Sequence, residues 1–127
     1  MSKSVIKTGE APAPIGPYNQ AIAAGGFVFV SGQVALDPIT GNLRTETLEE
    51  ETNQVMQNLA AVLKEAGCDF SHVVKTTIFL SDMGYFATVN EIYGRYFTSD
   101  FPARETVAVK TLPKLANVEI SVIAFKG

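Results

Sequence analysis

Val55, Leu59, Val62, Leu63 and Ala66 recur at the spacing that places side chains along one side of an α-helix, and Gly67 ends the row. Thr47 and Glu50 form a T-x-x-E capping box at its start, while Glu50, Gln57 and Lys64 occupy the opposite, water-facing side. A second helical row follows Ser81-Asp82, which can cap it, with Phe86, Val89, Tyr93, Tyr96 and Phe97 along one side. The remaining apolar runs are strand-like. "QAIAA" and "FVFVSGQV" flank Gly25-Gly26, a hairpin signal because both glycines can take positive φ. "HVVKTTIFL" is rich in β-branched residues, and "ETVAVK" and "NVEISVIAF" are divided by a turn around Pro113. Pro38 and Gly41 in "DPITG" supply a further turn. The order strand, strand, helix, strand, helix, strand, strand predicts an α+β fold over residues 1–127 as a single domain: a sheet with two helices packed on one face. Ahead of it, "APAPIGPY" is expected to be a stiff, ordered loop anchored by Ile15 and Tyr18.

Strand side chains alternate between faces, so parity sorts the sheet. Val107 and Val109, with Ile120, Val122 and Ala124, form an apolar set suited to receiving the helices. The other set holds Arg104, Thr106, Ala108 and Lys110 from one strand and Glu119, Ser121, Ile123 and Phe125 from the next. The strand "FVFVSGQ" splits likewise, with Phe27, Phe29, Ser31 and Gln33 opposed to Val28 and Val30. Exposed Phe27, Phe29, Ile123 and Phe125 would make a large apolar patch, so the second face is expected to be covered by another copy of the chain. That reading sets Arg104 and Glu119 together at the border of a subunit interface.

Composition narrows the function classes. Ten Lys+Arg against thirteen Asp+Glu give a formal net charge of -3, and the cations are scattered singly, which counts against a nucleic-acid partner. No apolar run is long enough to cross a bilayer, and with a single cysteine and no leader-like segment a cytoplasmic location is expected. The lone histidine, His72, cannot build a multi-histidine metal site and is expected at a solvated position. Cys68 reads as a small buried apolar residue. No G-x-S-x-G, H-E-x-x-H, G-x-G-x-x-G or G-x-x-x-x-G-K-[ST] occurs, so an activity here is expected to need no metal or nucleotide cofactor.

The candidate chemistry starts at "FPARETVAV", where Arg104 precedes a strand. A guanidinium suits a carboxylate because its planar fork donates two parallel hydrogen bonds. The other reading of Arg104 is an interface salt bridge to Glu105 or Glu119. Glu119 could hold a water and shuttle a proton, or simply pair with that arginine; a nearby guanidinium would lower its pKa unless burial intervenes. Tyr18 can cover a ligand or pack in a core. Ser31-Gly32 offers a hydroxyl and close backbone approach, or a bulge at the sheet edge. Asn90 interrupts the row Phe86, Tyr93, Phe97 and so touches something polar, for which a backbone carbonyl is the ordinary partner.

"FPARETVAV", with "IGPYNQAI", "FVFVSGQV", "HVVKTTIFLSDMGYFATVNEIY" and "LPKLANVEISVIA", resembles the reactive intermediate deaminase family, RidA or YjgF, from about Ile15 onward. The resemblance implies a homotrimer of chorismate-mutase-like subunits with sites in the clefts between neighbours. It also implies hydrolysis of enamines and imines, such as 2-aminoacrylate and 2-aminocrotonate, to 2-keto acids and ammonia. On that basis Arg104 binds the substrate carboxylate, Glu119 positions water, and Tyr18, Ser31, Gly32 and Asn90 match further site positions. Thr106 stands where many relatives have a cysteine, at a position expected to act largely through its backbone carbonyl. Two alternatives remain: a module that binds a small carboxylate such as a 2-keto acid without turnover, and a ribonuclease or translation inhibitor.

Overall fold

The computed structural model describes residues 2–127. Six strands form one mixed sheet: β1 (Ser4–Ile6), β2 (Ala21–Ala24), β3 (Phe27–Gln33), β4 (Val73–Leu80), β5 (Ala103–Ala108) and β6 (Val118–Phe125), in the spatial order β1-β2-β3-β6-β4-β5. Every neighbouring pair is antiparallel except β4 and β5, which are parallel and joined through the second helix. The helices are α1 (Leu48–Glu65) and α2 (Phe86–Gly94). Strand β1 is an addition to the five strands expected from periodicity.

Local chemistry explains the element ends. Gly25 and Gly26 take φ of 59° and 86°, which turns β2 back onto β3. Thr47 caps α1 by accepting a hydrogen bond from the Glu50 amide, and Glu49, Glu50 and Glu51 place acids in the first turn, where the helix dipole favours them. Asp82 accepts from the Gly84 amide at 2.6 Å and so caps the short 3-10 turn Met83–Tyr85 that leads into α2. His72 accepts the Asp69 amide proton at Nδ1 in a capping box of its own, at the turn entering β4. It is thus a partly exposed cap, more than a merely solvated residue.

The core lies between the sheet and the helices. Val55, Met56, Leu59, Val62 and Leu63 of α1 are fully buried against Val28, Ile78, Leu80, Ile120 and Ala124. Fully burying one such side chain contributes roughly 1.5–3 kcal/mol. Cys68 is buried with them, and burial pushes its thiol pKa up, which suits a packing role.

Polar residues on the buried side of α1 tie the irregular segments down. Asn58 donates to the carbonyls of Val34 and Leu36 at 3.1 and 2.9 Å, and Gln54 donates to Asn58. Glu51, with no exposed surface, accepts from the Asn117 amide at 2.7 Å, from Asn117 Nδ2 at 2.8 Å and from the Val118 amide at 3.2 Å, locking the start of β6 to α1. Gln20 holds the N-terminal loop by donating to the carbonyls of Thr8, Ala11 and Pro12 while accepting from the Thr8 amide. The proline-rich segment is therefore an ordered loop, as expected. Among the described residues, no helix is long and apolar enough to cross a membrane.

Glu51→Ala should destabilise the fold by about 2–4 kcal/mol, because it strands the buried Val118 amide and the half-buried Asn117 amide together with the Asn117 side chain. Urea unfolding followed by circular dichroism measures it; a loss below about 0.5 kcal/mol would show that these donors find other partners.

Candidate functional site

The β4 ladder decides where the candidate residues point. Thr76 pairs with Arg104 and Ile78 with Thr106 across the β4–β5 edge, while Phe79 pairs with Glu119 across the β4–β6 edge. Thr76, Ile78 and Leu80 are buried beneath the helices. Arg104 and Thr106 therefore share the helix face, whereas Glu119, with Phe79, lies on the open face. The parity expectation for β5 is reversed: Arg104, Thr106 and Ala108 belong to the helix side, and Val107 is on the open side, 46% exposed. The reason is that both faces of this sheet carry apolar residues, so greasiness could not orient an edge strand. Packing against α2 does so instead.

Around Arg104, α2 builds a seat for a cation. The guanidinium carbon lies 5.6 Å from the Phe86 ring centroid and 5.3 Å from that of Tyr93, within cation–π range. Arg104 Nη1 donates to Asn90 Oδ1 at 2.7 Å, so Asn90 holds the arginine and not a backbone carbonyl. Tyr93 is fixed in turn by its hydroxyl, which donates to Thr76 Oγ1 at 2.9 Å. Neither expected salt bridge of Arg104 forms within the chain. Glu105 pairs with Lys75 at 3.2 Å, and Glu119 is across the sheet. Among the described residues no carboxylate lies within ion-pair distance of Arg104. Asn90, Tyr93, Gly94, Phe101, Pro102 and Arg104 line an open cavity of about 380 Å³. Thr106 Oγ1 is buried in the strand with no hydrogen-bond partner.

The second cluster forms at a bulge in β3. Val30 pairs with Val122 and Gln33 with Ile120, so Ser31 and Gly32 together oppose a single residue of β6. The bulge also turns Gln33 to the helix face, where it is buried, instead of leaving it beside Phe29 and Ser31. Ser31 Oγ donates to the Asn19 carbonyl at 2.6 Å, and its amide donates to the Gln20 carbonyl at 2.9 Å, fastening the loop that carries Tyr18. The Tyr18 hydroxyl accepts from the Ile15 amide at 3.4 Å, and the ring is half exposed. Gly32 is where the glutamate packs: a β-carbon there would stand 3.0 Å from the Glu119 carboxyl carbon. Burial pushes the Glu119 pKa above its ordinary value, and no guanidinium in the chain opposes it. The lowering expected from Arg104 does not occur within one protomer. Tyr18, Gln20, Gly32 and Gln33 bound a small pocket of about 40 Å³ beside this cluster.

One chain thus holds two separate clusters of candidate residues: Arg104 with Asn90 on the helix side, and Glu119 with Ser31, Gly32 and Tyr18 around the β3 bulge. Tyr93 and Phe86, which seat the guanidinium, were read from periodicity only as core. Their spacing around Asn90 is the signal that could have marked them. Among the described residues, no group of histidine, cysteine and acidic side chains could hold a metal ion.

The family model described as Endoribonuclease L-PSP matches residues 8–126, and the chain belongs to this family, the RidA/YjgF family. It is 55% identical over 126 residues to a RutC family protein of Synechocystis, covering 98% of this chain and 97% of that one. It is 46% identical over 125 residues to the human 2-iminobutanoate/2-iminopropanoate deaminase, covering 98% of this chain and 91% of the human protein. The crystal structure of a Rid-family protein from Yersinia pestis superposes with a TM-score of 0.95 at 49% identity, covering 98% of this chain and 99% of that one. The mixed α+β fold is shared with that Rid-family structure.

Gly32→Ala should crowd the Glu119 side chain and make it give by a few tenths of an ångström, because the new methyl would stand 3.0–3.2 Å from its Cγ and carboxyl atoms. The expected cost is about 1–3 kcal/mol of stability. Thermal unfolding reads this directly; an unshifted midpoint would mean that the bulge yields freely.

Proposed function

We propose that the protein hydrolyses reactive enamines and imines, such as 2-aminoacrylate and 2-aminocrotonate, to 2-keto acids and ammonia, in clefts between the subunits of a homotrimer. The observation that carries this reading is the uncommitted Arg104 guanidinium, aimed by Asn90 and two aromatic rings into an open cavity. A guanidinium kept clear of the chain's own carboxylates is poised for an external one. The deaminase name of relatives near half identity supports the same substrate class.

The division of the site between two faces supports assembly between copies. Arg104 and Glu119 cannot meet in one protomer, yet the open face that carries Glu119 also carries Phe27, Phe29 and Phe125, each 39–46% exposed, with Phe27 and Phe125 in ring contact at 4.8 Å. A neighbour covering this patch would gain its burial and could bring its own Arg104 edge to the Tyr18–Ser31–Gly32–Glu119 cluster.

In such a cleft the arginine grips the substrate carboxylate and sets the imine carbon against a water held by Glu119. The water oxygen bonds to carbon as the C=N π pair moves to nitrogen; the carboxylate accepts the proton that water gives up and delivers it to that nitrogen, leaving a neutral carbinolamine. The carbinolamine then collapses. Its hydroxyl gives its proton to the carboxylate and becomes the ketone as the C–N bond breaks, and the glutamate passes that proton to the nitrogen, which leaves as ammonia. Imines already hydrolyse in water, so orientation and a proton relay suffice for acceleration. The raised pKa of Glu119 brings it nearer the range where one group can both take and return a proton. Tyr18 closes the cleft from its loop, and backbone groups of Ser31, Gly32 and Thr106 bind the nitrogen or the adduct. No metal or cofactor is needed, and with its scattered cations the chain offers no stripe for RNA. A cytoplasmic setting goes with this reading.

A threonine dehydratase supplies the imine for the test, with semicarbazide as competing trap. Wild-type protein should raise 2-ketobutyrate at the expense of semicarbazone, and Arg104→Ala should lower that effect at least about tenfold, as loss of a shielded charge-assisted pair requires. Unchanged ketobutyrate formation with wild type, alongside binding of the keto acid, would leave a carboxylate-binding module instead.

A further inference from the structure

Between β5 and β6 the chain passes through a short 3-10 turn, Pro113–Leu115, in which Lys114 and Leu115 have φ of 56° and 57°. Two consecutive non-glycine residues in the left-handed region are costly, and such conformations persist only where the surroundings enforce them. Here Leu112 and Ala116 are buried on either side, and Asn117 is held by Glu51 and by Ser81, whose amide donates to the Asn117 carbonyl at 3.0 Å. The result is to present Lys114 at the wall of a groove.

That groove, of about 340 Å³, is otherwise lined mainly by Pro12, Ala13, Ile15, Leu36 and Ile39. Pro12, Ala13, Ile15 and Leu36 also bound the small pocket beside Tyr18 and Gly32, so the two spaces share a wall. One acid also lines the groove, Asp37, and it is occupied. Its Oδ1 accepts from the amides of Ile39 and Thr40 at 2.8 and 3.2 Å, its Oδ2 faces Arg44 at 3.9 Å, and these backbone bonds hold its pKa below the ordinary value. Lys114 makes no ion pair or side-chain hydrogen bond among the described residues.

We infer that this groove is a side-chain subsite for imino acids whose apolar stem ends in an anionic group, with Lys114 receiving the anion. The inference rests on the deaminase reading for the placement of the imine beside Gly32 and Glu119. The stem runs over Ile15 and Leu36, and the terminal carboxylate meets the ammonium.

Calorimetric titration of the full-length protein with 2-oxoadipate and with neutral 2-oxohexanoate, products of such imines, tests it. Wild type should bind 2-oxoadipate more tightly, and Lys114→Gln should weaken it about three- to fivefold, the scale of an exposed charge pair, without changing 2-oxohexanoate. Lys114→Gly should lose the same selectivity while unfolding at an equal or higher temperature, since it relieves the left-handed strain. Equal affinity of wild type and Lys114→Gln for 2-oxoadipate, or equal losses for both ligands, would overturn the subsite. Turnover of the corresponding imines, generated by an amino-acid oxidase, separates the two readings. Hydrolysis indifferent to Lys114 sinks the subsite alone, while anion-selective binding without hydrolysis sinks deamination alone.

Discussion

A strand sends alternate side chains to opposite faces, and the β4 ladder imposes that rule on both candidate reactive groups at once. Arg104 is bound into register opposite Thr76, and Glu119 opposite Phe79, three residues further along the same strand. The odd separation puts the arginine under α2 and the glutamate on the bare side. Much of the remaining architecture follows from keeping those two environments different. The helix side is aromatic and holds a cation by π contact and by Asn90 at the wall of an open cavity. The bare side keeps a half-buried carboxyl over Gly32, with its pKa raised by burial.

If Arg104 binds the substrate carboxylate and Glu119 carries the proton, as proposed, the surface between them accounts for their separation in one chain. Had Arg104 and Glu119 met within the protomer, each would neutralise the other, and the cavity would hold a finished ion pair with little affinity for a substrate anion. Separation leaves the guanidinium without an anion and the acid without a cation. In the proposed assembly, docking of a second copy over the exposed phenylalanines of β3 and β6 would bring a neighbour's guanidinium to the cleft that holds the acid, with the substrate carboxylate, and not Glu119, as its partner. The trimer proposed above is then a condition of the chemistry as well as a means of hiding apolar surface.

The elements were legible where sequence signals are local and redundant. The T-x-x-E box, the row from Val55 to Ala66 and the Gly25-Gly26 break each correspond to an observed element end. Strand β1 escaped because three residues ahead of a proline-rich loop carry no measurable period, and its pairing with β2 is a tertiary event. Parity succeeded on β6, where buried and part-exposed residues alternate from Val118 onward, and failed on β5. An edge strand with apolar residues of both parities is oriented by its neighbour, and the helix that orients it chose the arginine. The bulge at Ser31-Gly32 likewise reversed Gln33, which no count of alternation would reveal. Glu51, Gln54 and Asn58 lie outside what the spacing of apolar residues alone can mark. Their positions among Val55 and Leu59, on the side that periodicity assigns to the core, were the available sign that they bond backbone there.

The residues proposed for the site were therefore found by type and motif, while their arrangement needed the register of the sheet. In the proposed assembly each working cleft takes Arg104 from one protomer and Glu119 from its neighbour. Mixing inactive Arg104→Ala and Glu119→Gln proteins, unfolding them together and refolding at equal ratio tests it most directly. If clefts form between copies, random assembly should restore about a quarter of them to wild type in imine hydrolysis, although both parents are inactive. A refolded mixture no more active than either parent would contradict the account.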